Sequence, residues 1–449
     1  MRPTGTTSTN AGGAARRRHP LAAAAASTAA ILVLAACAWS VLAWPRADFV
    51  PSRSPQAWAP SADNVARGAY LARAGGCLAC HTARGGAAYA GGRAIDTPFG
   101  RLYGPNLTPD RHTGIGAWNA DDFWHALHDG VAPGGRLLYP AFPYTHYTRV
   151  TRDDADALFA WLRSLAPVRR PNRAHELRFP YDSRLALAGW RLLYFRPDVQ
   201  AARTDRPAAW NRGAYLVEGL GHCGACHAGR NALGAAGANL WGGPMAGSGW
   251  YAPALAGHGA AGAAPADAGE LVQLLRSGVS AHGAVSGPMA EVVGDSLQYL
   301  SAADLHAMAA YLRTVPAAPA APMPAPTRAP SDAVSQAGAR LYDRHCAACH
   351  GGDGRGATET NGAPAYPPLA GNRTLAAAPP VNAIRAVLHG GFPPATAGNP
   401  RPYGMPPFGP VLDDAEVAAV LSYARASWGN AAAPVTAAEV DRQRPVPLD

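Results

Sequence analysis

The chain has 449 residues, a formal net charge of +9 and a hydrophobic content of 48%. This length is typical of about three domains, and the 50 glycines and 42 prolines favour domains that are rich in loops. The positive charge would steer the protein toward an acidic partner or an anionic membrane surface. Nucleic-acid binding is excluded as its explanation, because no basic run is interleaved with aromatic residues in a binding motif.

The first predicted element is an uncharged stretch at residues 21–44, which follows Arg16-Arg17-Arg18. Its 24 residues are enough to cross the hydrocarbon core of a bilayer as a helix, with the arginines on the cytoplasmic side. We therefore assign residues 1–48 to a signal or membrane anchor and favour an uncleaved anchor.

Two alternatives for this N-terminal segment remain open. A cleaved signal peptide would normally have a shorter apolar core. A lipoprotein signal ending in Leu34-Ala35-Ala36-Cys37 would make Cys37 the acylated residue and account for the odd seventh cysteine. All three interpretations export the rest of the chain.

The pentapeptide Cys-x-x-Cys-His occurs three times and uses six of the seven cysteines. The cysteine pairs are Cys77 and Cys80, Cys223 and Cys226, and Cys346 and Cys349, and the histidines are His81, His227 and His350. Two thiols three residues apart can form thioethers with the two vinyl groups of one porphyrin, and the adjacent histidine then becomes the proximal iron ligand. A zinc site usually needs two paired ligand clusters, and a thioredoxin-type pair leaves the histidine unexplained. The sequence therefore predicts three covalently bound haems of the c type.

The predicted elements around each motif recur in the same order. A short helical pattern precedes the motif, at residues 65–71, 211–216 and 336–342, and a middle helix follows at 121–129, 270–277 and 381–389. The last helix of each unit begins at Thr151, Ser301 or Asp413, each with an acid three residues later, as in a capping box. We therefore predict an all-α chain of three tandem class I-like cytochrome c domains, each of about three helices around a covalent haem, plus an N-terminal transmembrane or signal helix.

Domain boundaries follow from these repeats and from the composition between them. We place the haem domains at 63–170, 205–315 and 334–430, a bridging segment at 171–204, a Pro/Ala linker at 316–333 and a tail at 431–449. The bridging segment contains an apolar stretch with Trp190 and Tyr194. It is expected to form a helix packed across two haem domains, with a membrane or partner contact as the alternative.

A low-spin haem also needs a distal axial ligand, commonly a methionine thioether that raises the reduction potential. The loop between the middle and last helices contains Met289 in the second unit and Met405 in the third. Their equivalent positions favour ligation over core packing. Met245 and Met308 are weaker candidates, because one precedes the middle helix and the other lies within the last helix.

The first unit has no methionine to serve as distal ligand. Phe142 occupies the methionine position and cannot ligate iron, so we predict His146, 65 residues after His81, as the substitute. An open five-coordinate iron is an alternative, as is ligation by another histidine: His112, His125 or His128. A bis-histidine haem would have a lower potential than the other two, because imidazole stabilises ferric iron better than a thioether does.

The chain resembles the three-haem cytochrome c subunits of bacterial membrane-bound dehydrogenases, such as alcohol and gluconate dehydrogenases. The resemblance covers about residues 63–445 and rests on Thr97-Pro98-Phe99-Gly100, Asn106-Leu107-Thr108-Pro109-Asp110, Leu138-Tyr139-Pro140-Ala141, Gly287-Pro288-Met289-Ala290-Glu291 and Ser427-Trp428-Gly429-Asn430. That family commonly has methionine where this chain has Phe142. The phenylalanine form, which continues into Glu176-Leu177-Arg178-Phe179-Pro180, is more similar to cytochromes that accompany molybdenum hydroxylases such as nicotinate or aldehyde dehydrogenases.

The resemblance implies an electron-transfer subunit rather than a catalytic one. A periplasmic dehydrogenase subunit would pass electrons through three haem c groups to ubiquinone or a terminal oxidase, with the haem domains on the periplasmic side of the bacterial inner membrane. The sequence has no nucleotide-binding fingerprint, catalytic triad or flavin motif, which agrees with this expectation. Two alternatives remain: a peroxidase-like enzyme that uses an open first haem, and a free multihaem carrier without a fixed partner.

Overall fold

The computed structural model describes Thr28 and residues 31–33, 60–245, 247–255, 267–317, 330–359 and 364–446. Residues 51–449 form one compact unit, and residues 1–50 form another. All three haem motifs lie in the larger unit.

The larger unit contains the three predicted repeats as successive groups of helices. The first group is α1 (Ala62–Ala74), α2 (Cys77–His81), α3 (Ala120–His128), α4 (Tyr144–Tyr147) and α5 (Arg152–Ser164), followed by α6 (Arg184–Tyr194). The second is α7 (Ala208–Ala214), a π-helical segment (Tyr215–Leu220), α8 (Gly224–His227), α9 (Ala268–Ser277), α10 (Pro288–Asp295) and α11 (Ala302–Leu312). The third is α12 (Asp332–His345), α13 (Ala347–His350), α14 (Arg373–Ala376), α15 (Val381–His389), α16 (Asp414–Ala426) and α17 (Ala437–Asp441).

Short antiparallel strands lie between these helices, so the prediction of an all-α chain is wrong. The strands are β1 (Ala94–Thr97), β2 (Gly100–Tyr103), β3 (Val131–Ala132), β4 (Arg136–Leu137), β5 (Glu176–Leu177), β6 (Gly243–Met245), β7 (Trp250–Ala252), β8 (Val279–Ser280), β9 (Gly283–Ala284), β10 (Ala357–Thr358) and β11 (Pro364–Tyr366). β1, β2 and β5 form a three-stranded sheet with Gly100 opposite Leu177, and the others pair as hairpins. These pairings satisfy the backbone hydrogen bonds of the loops, which would otherwise depend on solvent.

The predicted transmembrane helix also needs correction. Within the residues that the structure describes, no helix combines the length and hydrophobicity needed to cross a bilayer. Of the predicted span 21–44, Thr28 and residues 31–33 are described as helical and exposed, and the remainder lies outside the described residues. Cys37, the proposed acylation site, is also outside them.

In each repeat the first and last helices cross at a glycine. A Cβ atom added to Gly68 would overlap the backbone carbonyl of Ala157 and lie 2.8 Å from Trp161 Cβ. The same overlap occurs between Gly213 and Ala307 and between Gly338 and Ala419. Glycine allows the two backbones to touch, and this contact fixes where the haem motif at the end of the first helix lies relative to the last helix.

The predicted caps of the last helices are confirmed, with one instructive difference. Thr151, Ser301 and Asp413 each accept a hydrogen bond from the backbone amide three residues later. A complete capping box forms only in the third repeat among these helices, between Asp413 and Glu416. The equivalent acids of the first two repeats instead contact side chains of other helices.

Those two acids lock the first and second domains together reciprocally. Tyr70 of the first domain donates to Asp304 of the second at 2.6 Å, and Tyr215 of the second donates to Asp154 of the first at 2.5 Å. Within its own domain, Asp154 also pairs with Arg67, and Asp304 pairs with Arg212 at 2.8 Å. The two domains share one hydrophobic core, whereas the third has a core of its own.

The third domain lacks the residues for this lock and contacts the second domain differently. Arg340 and Ala337 occupy the positions of the tyrosine and the arginine. Asn382 donates to the carbonyl of Tyr251 at 2.7 Å and accepts from its amide at 3.0 Å. Thr396 Oγ1 donates to the carbonyl of Ser277 at 3.0 Å.

Helix α6 contacts both of the first two domains. Arg191 donates to the carbonyl of Asp129 at 2.6 Å, and Trp190 donates to that of Leu233 at 2.9 Å. Leu187 is buried, whereas Leu192 and Leu193 are exposed.

The glycine crossings generate the first prediction. Replacing Gly68, Gly213 or Gly338 by alanine should lower the free energy of unfolding by about 1–3 kcal/mol, because the backbones of the first and last helices must move apart. Gly189→Ala is the matched control, since a Cβ there meets nothing within 4 Å and alanine suits a helix better by about 0.5–1 kcal/mol. Urea unfolding followed by circular dichroism measures both effects, and equal midpoints for the two classes of variant would contradict the crossing.

The reciprocal lock generates the second prediction. Each of Tyr70→Phe and Tyr215→Phe removes a hydrogen bond to a carboxylate, which costs about 1.5–3 kcal/mol. The double variant should weaken the coupling between the first two domains and broaden their shared calorimetric transition, although the common core still joins them. Tyr311→Phe is the control, because Tyr311 donates to Glu218 within the second domain at 2.7 Å; if it broadens the transition equally, the lock does not couple the domains.

The lock should also weaken in acid. Burial raises the pKa of Asp304, but hydrogen bonds from Arg212 and Tyr70 outweigh this effect and hold the pKa below its ordinary value. Stabilisation by such a carboxylate is present above the ordinary pKa of about 4 and is lost as the pH falls through the folded-state value. Loss of the Asp304 half of the lock should therefore broaden the transition of the unmodified protein below about pH 4, but not in the neutral range.

Candidate haem sites

Each Cys-x-x-Cys-His motif forms or caps a short helix at the end of the first helix of its repeat. The helices α2, α8 and α13 end at His81, His227 and His350. None of the six motif cysteines forms a disulfide bond, so both sulfurs of each motif are available for thioethers.

The three motif histidines are oriented by the same second contact. The Nδ1 atoms of His81, His227 and His350 lie 2.8, 2.7 and 2.9 Å from the backbone carbonyls of Pro105, Pro253 and Pro367, respectively. A carbonyl can only accept, so Nδ1 carries the proton and Nε2 keeps its lone pair for a metal. Burial lowers the pKa of all three rings, which favours the neutral form that ligates iron.

The sequence did not reveal these prolines as functional residues. They follow their histidines by 24, 26 and 17 residues, so no fixed spacing relates the three sites. Their contribution comes from the backbone carbonyl, which every residue has. The weak signal was a proline in the loop after each motif, within a chain already rich in proline.

The donor set of each site fits a haem of the c type. Two free thiols one helical turn apart match the two vinyl groups, and a neutral imidazole with a free Nε2 matches the iron. Among the described residues, no cluster of His, Cys, Asp and Glu forms a separate metal site.

The predicted distal methionines occupy different local structures. Met289 is the second residue of α10 and is half-buried against the core shared by the first two domains. Met405 pairs with Gly391 through two backbone hydrogen bonds of 2.8 and 3.0 Å. Met308 is 2% exposed within α11, as expected for a core residue, and Met245 pairs with Trp250 in the β6–β7 hairpin. Ligation by Met289 and Met405 stays a prediction.

In the first domain, His146 lies against the second domain. Its Nδ1 donates to the carbonyl of Glu218 at 3.1 Å, and a Cβ added to Gly224 would lie 2.8 Å from its Cε1. Burial lowers the pKa of His146 to about 4, and His222 adds to the effect. The ring is therefore neutral with Nε2 unprotonated, as an iron ligand must be, but it also contacts the second haem motif.

The other candidate residues of the first domain have contacts of their own. Phe142 is half-buried with its ring 5.4 Å from that of Tyr147. His125 Nδ1 lies 2.6 Å from an oxygen of Asp129. His128 Nδ1 lies 2.8 Å from the carbonyl of Thr148. His112 is exposed. The distal ligand of the first haem stays a prediction, with His146 the most buried candidate.

Each predicted distal segment of the first two domains contacts the motif region of the other domain. Helix α10, which begins beside Met289, packs against α2 of the first motif. Helix α4, which contains His146, packs against the π-helical segment before the second motif. The two haem sites therefore share an interface.

Three repeats that each place two cysteines and an oriented histidine behind a glycine helix crossing define a c-type cytochrome. The family model described as cytochrome c matches residues 65–166, 211–316 and 335–428. The chain belongs to the cytochrome c family, whose members bind haem covalently and transfer electrons.

Relatives confirm the resemblance to dehydrogenase cytochrome subunits. The chain is 42% identical to the gluconate 2-dehydrogenase cytochrome c subunit of Pantoea cypripedii over 84% of this chain and 88% of that protein. It is 37% identical to the cytochrome c subunit of the quinone-type alcohol dehydrogenase of Komagataeibacter europaeus, over 86% and 85%. It is also 40% identical to a nicotinate dehydrogenase subunit of Pseudomonas putida, over 86% of this chain. Of that last protein the chain spans 32% of the length.

The burial of His146 generates the third prediction. If Nε2 ligates the first iron, His146→Ala should turn one haem high-spin and shift its potential, while His306→Ala, an exposed control, should change neither. A low-spin first haem with an unshifted potential in His146→Ala would contradict the ligation.

The same burial predicts a pH dependence. In the unmodified protein, His146 has a folded-state pKa below its unfolded value of about 6.5. The unfolded chain then binds more protons between these values, so the free energy of unfolding falls as the pH falls from about 6.5 toward 4.

Proposed function

We propose that this chain is the tri-haem electron-transfer subunit of a periplasmic dehydrogenase complex. Electrons from the partner's catalytic subunit would pass singly through three covalent haem c groups to ubiquinone or a terminal oxidase. The haem domains would face the periplasm at the bacterial inner membrane. The observation that supports this most directly is that the motif occurs three times, each time with a histidine whose Nδ1 is bonded to a carbonyl so that Nε2 is free to bind iron.

The names of the relatives support a dehydrogenase as the electron donor. Three of the curated relatives are cytochrome subunits of gluconate, alcohol and fructose dehydrogenases, which oxidise different substrates. Similarity that extends over 82–88% of those proteins indicates a shared carrier rather than a shared substrate. The similarity therefore supports a carrier role that does not depend on the substrate of the donor enzyme.

The residues of the chain divide the work of such a carrier. The bound haem supplies reversible one-electron chemistry between ferric and ferrous iron. The cysteines would hold it covalently, and the proline carbonyls would hold each proximal ring in the ligating tautomer. Thioether ligation by Met289 and Met405 would raise the potentials of the second and third haems, and imidazole ligation by His146 would lower that of the first. The first haem would then have a lower reduction potential than the other two.

The fourth prediction tests this function on the full-length haem-loaded protein. A pyridine haemochrome assay should give three haems per chain, and Cys349→Ala should reduce haem c attachment at the third site alone. With a co-expressed dehydrogenase, its substrate should reduce the haems, and ubiquinone should reoxidise them. Co-purification from native membranes then identifies the donor.

A different outcome would favour an enzyme or a free carrier. A ferric high-spin signal together with peroxidase turnover would replace the proposal with a haem peroxidase that uses the first site. Isolation of the intact protein free of any dehydrogenase, with reduction by several unrelated donors at similar rates, would indicate a carrier without a fixed partner.

A further inference from the structure

An ion pair joins the first domain to the helix that holds the predicted distal ligand of the second haem. Arg93 of the first domain donates to Glu291 of the second, with Nη2 3.1 Å from Oε2 and 3.4 Å from Oε1. Glu291 lies in the first turn of α10, two residues after Met289. The Arg93 side chain is 24% exposed and that of Glu291 is 47% exposed. The guanidinium is therefore the more buried partner, and the carboxylate comes from the more exposed surface of the second domain.

The pair lies beside the first haem motif. Helix α10 packs against α2, the helix that contains Cys77 and Cys80. Because Glu291 lies on α10 and pairs with Arg93, both charges lie where α10 packs against the first motif.

We propose that Glu291, supplied by the second domain, and Arg93 of the first domain together set the reduction potential of the first haem. The inference rests on the proposed function, because it assumes a haem at Cys77 and Cys80. Ferric haem has one more positive charge than ferrous haem. A nearby carboxylate therefore stabilises the ferric state and lowers the potential, and a nearby guanidinium does the opposite.

The other side of the domain interface carries a different contact. There the distal segment of the first domain places the neutral ring of His146 against Gly224 of the second motif. The second domain thus contributes the charge of Glu291 to the contact with the first motif, and the first domain contributes the ring of His146 to the contact with the second. Arg93 and Glu291 would act on the first haem through their charge, and neither is a predicted iron ligand.

The test compares Glu291→Gln, Arg93→Gln and the double variant in the full-length haem-loaded protein. Redox titration with chemical mediators measures the three potentials, and the first haem is identified as the one missing from Cys77→Ala/Cys80→Ala. Glu291→Gln should raise its potential and Arg93→Gln should lower it, each by on the order of threefold to tenfold in the equilibrium constant for reduction. That is roughly 30–60 mV. The double variant should return close to the unmodified value.

A control pair separates charge from general disturbance. Asp96 and Arg101 form an exposed ion pair of 2.6 Å in the β1–β2 hairpin of the same domain, and Asp96→Asn should leave all three potentials unchanged. Shifts of the same sign in both single variants would show a structural disturbance and overturn the proposal, as would unchanged potentials. Because mediators replace the dehydrogenase, failure of this test leaves the partner proposal standing, and failure to find a partner leaves this test valid.

Discussion

The contact between two backbones at Gly68, Gly213 and Gly338 is the constraint on which each haem site depends. At these points the first and last helices of a repeat touch without an intervening side chain. The motif follows the first helix within a few residues, so the crossing determines where its cysteines and histidine lie. A proline carbonyl then fixes the histidine ring. The position of each haem site is thus determined partly by the preceding helix, at residues that do not belong to the haem motif.

The domains are assembled as a pair and a single, although their sequences repeat three times. Tyrosines cross between the first two domains to carboxylates that would otherwise complete capping boxes. In the third domain, Glu416 completes the box instead and no tyrosine occupies the crossing position. One acid position thus serves either helix capping or domain pairing, and the third repeat, where it caps the helix, has neither the tyrosine nor the arginine of the other two. The pairing brings two haem sites to a common interface, where His146 and Glu291 each reach into the other domain.

Features fixed by residues close together in the chain were predictable from the sequence, whereas contacts between residues far apart in the chain were not. The motifs, middle helices and caps follow from spacings of three or four residues, and they recur in the structure. Strands of two to four residues are too short for alternation to mark them, which is why the all-α expectation failed. His146 stood out because methionine was missing, but its contact with Glu218 joins residues 72 positions apart. The contacts of the proline carbonyls could not be predicted, because every residue has a backbone carbonyl and the sequence does not mark which one is used.

The separation of the locking residues has a consequence for how the protein is made. Tyr70 and Asp304 are 234 positions apart, whereas Tyr215 and Asp154 are 61 apart. Where the chain folds from its N-terminus, the second of these bonds can form long before the first. The first domain is then held to its neighbour by half of the lock until the last helix of the second domain completes it. A haem attached to the first motif within this interval would enter a site whose shared interface is still open on one side.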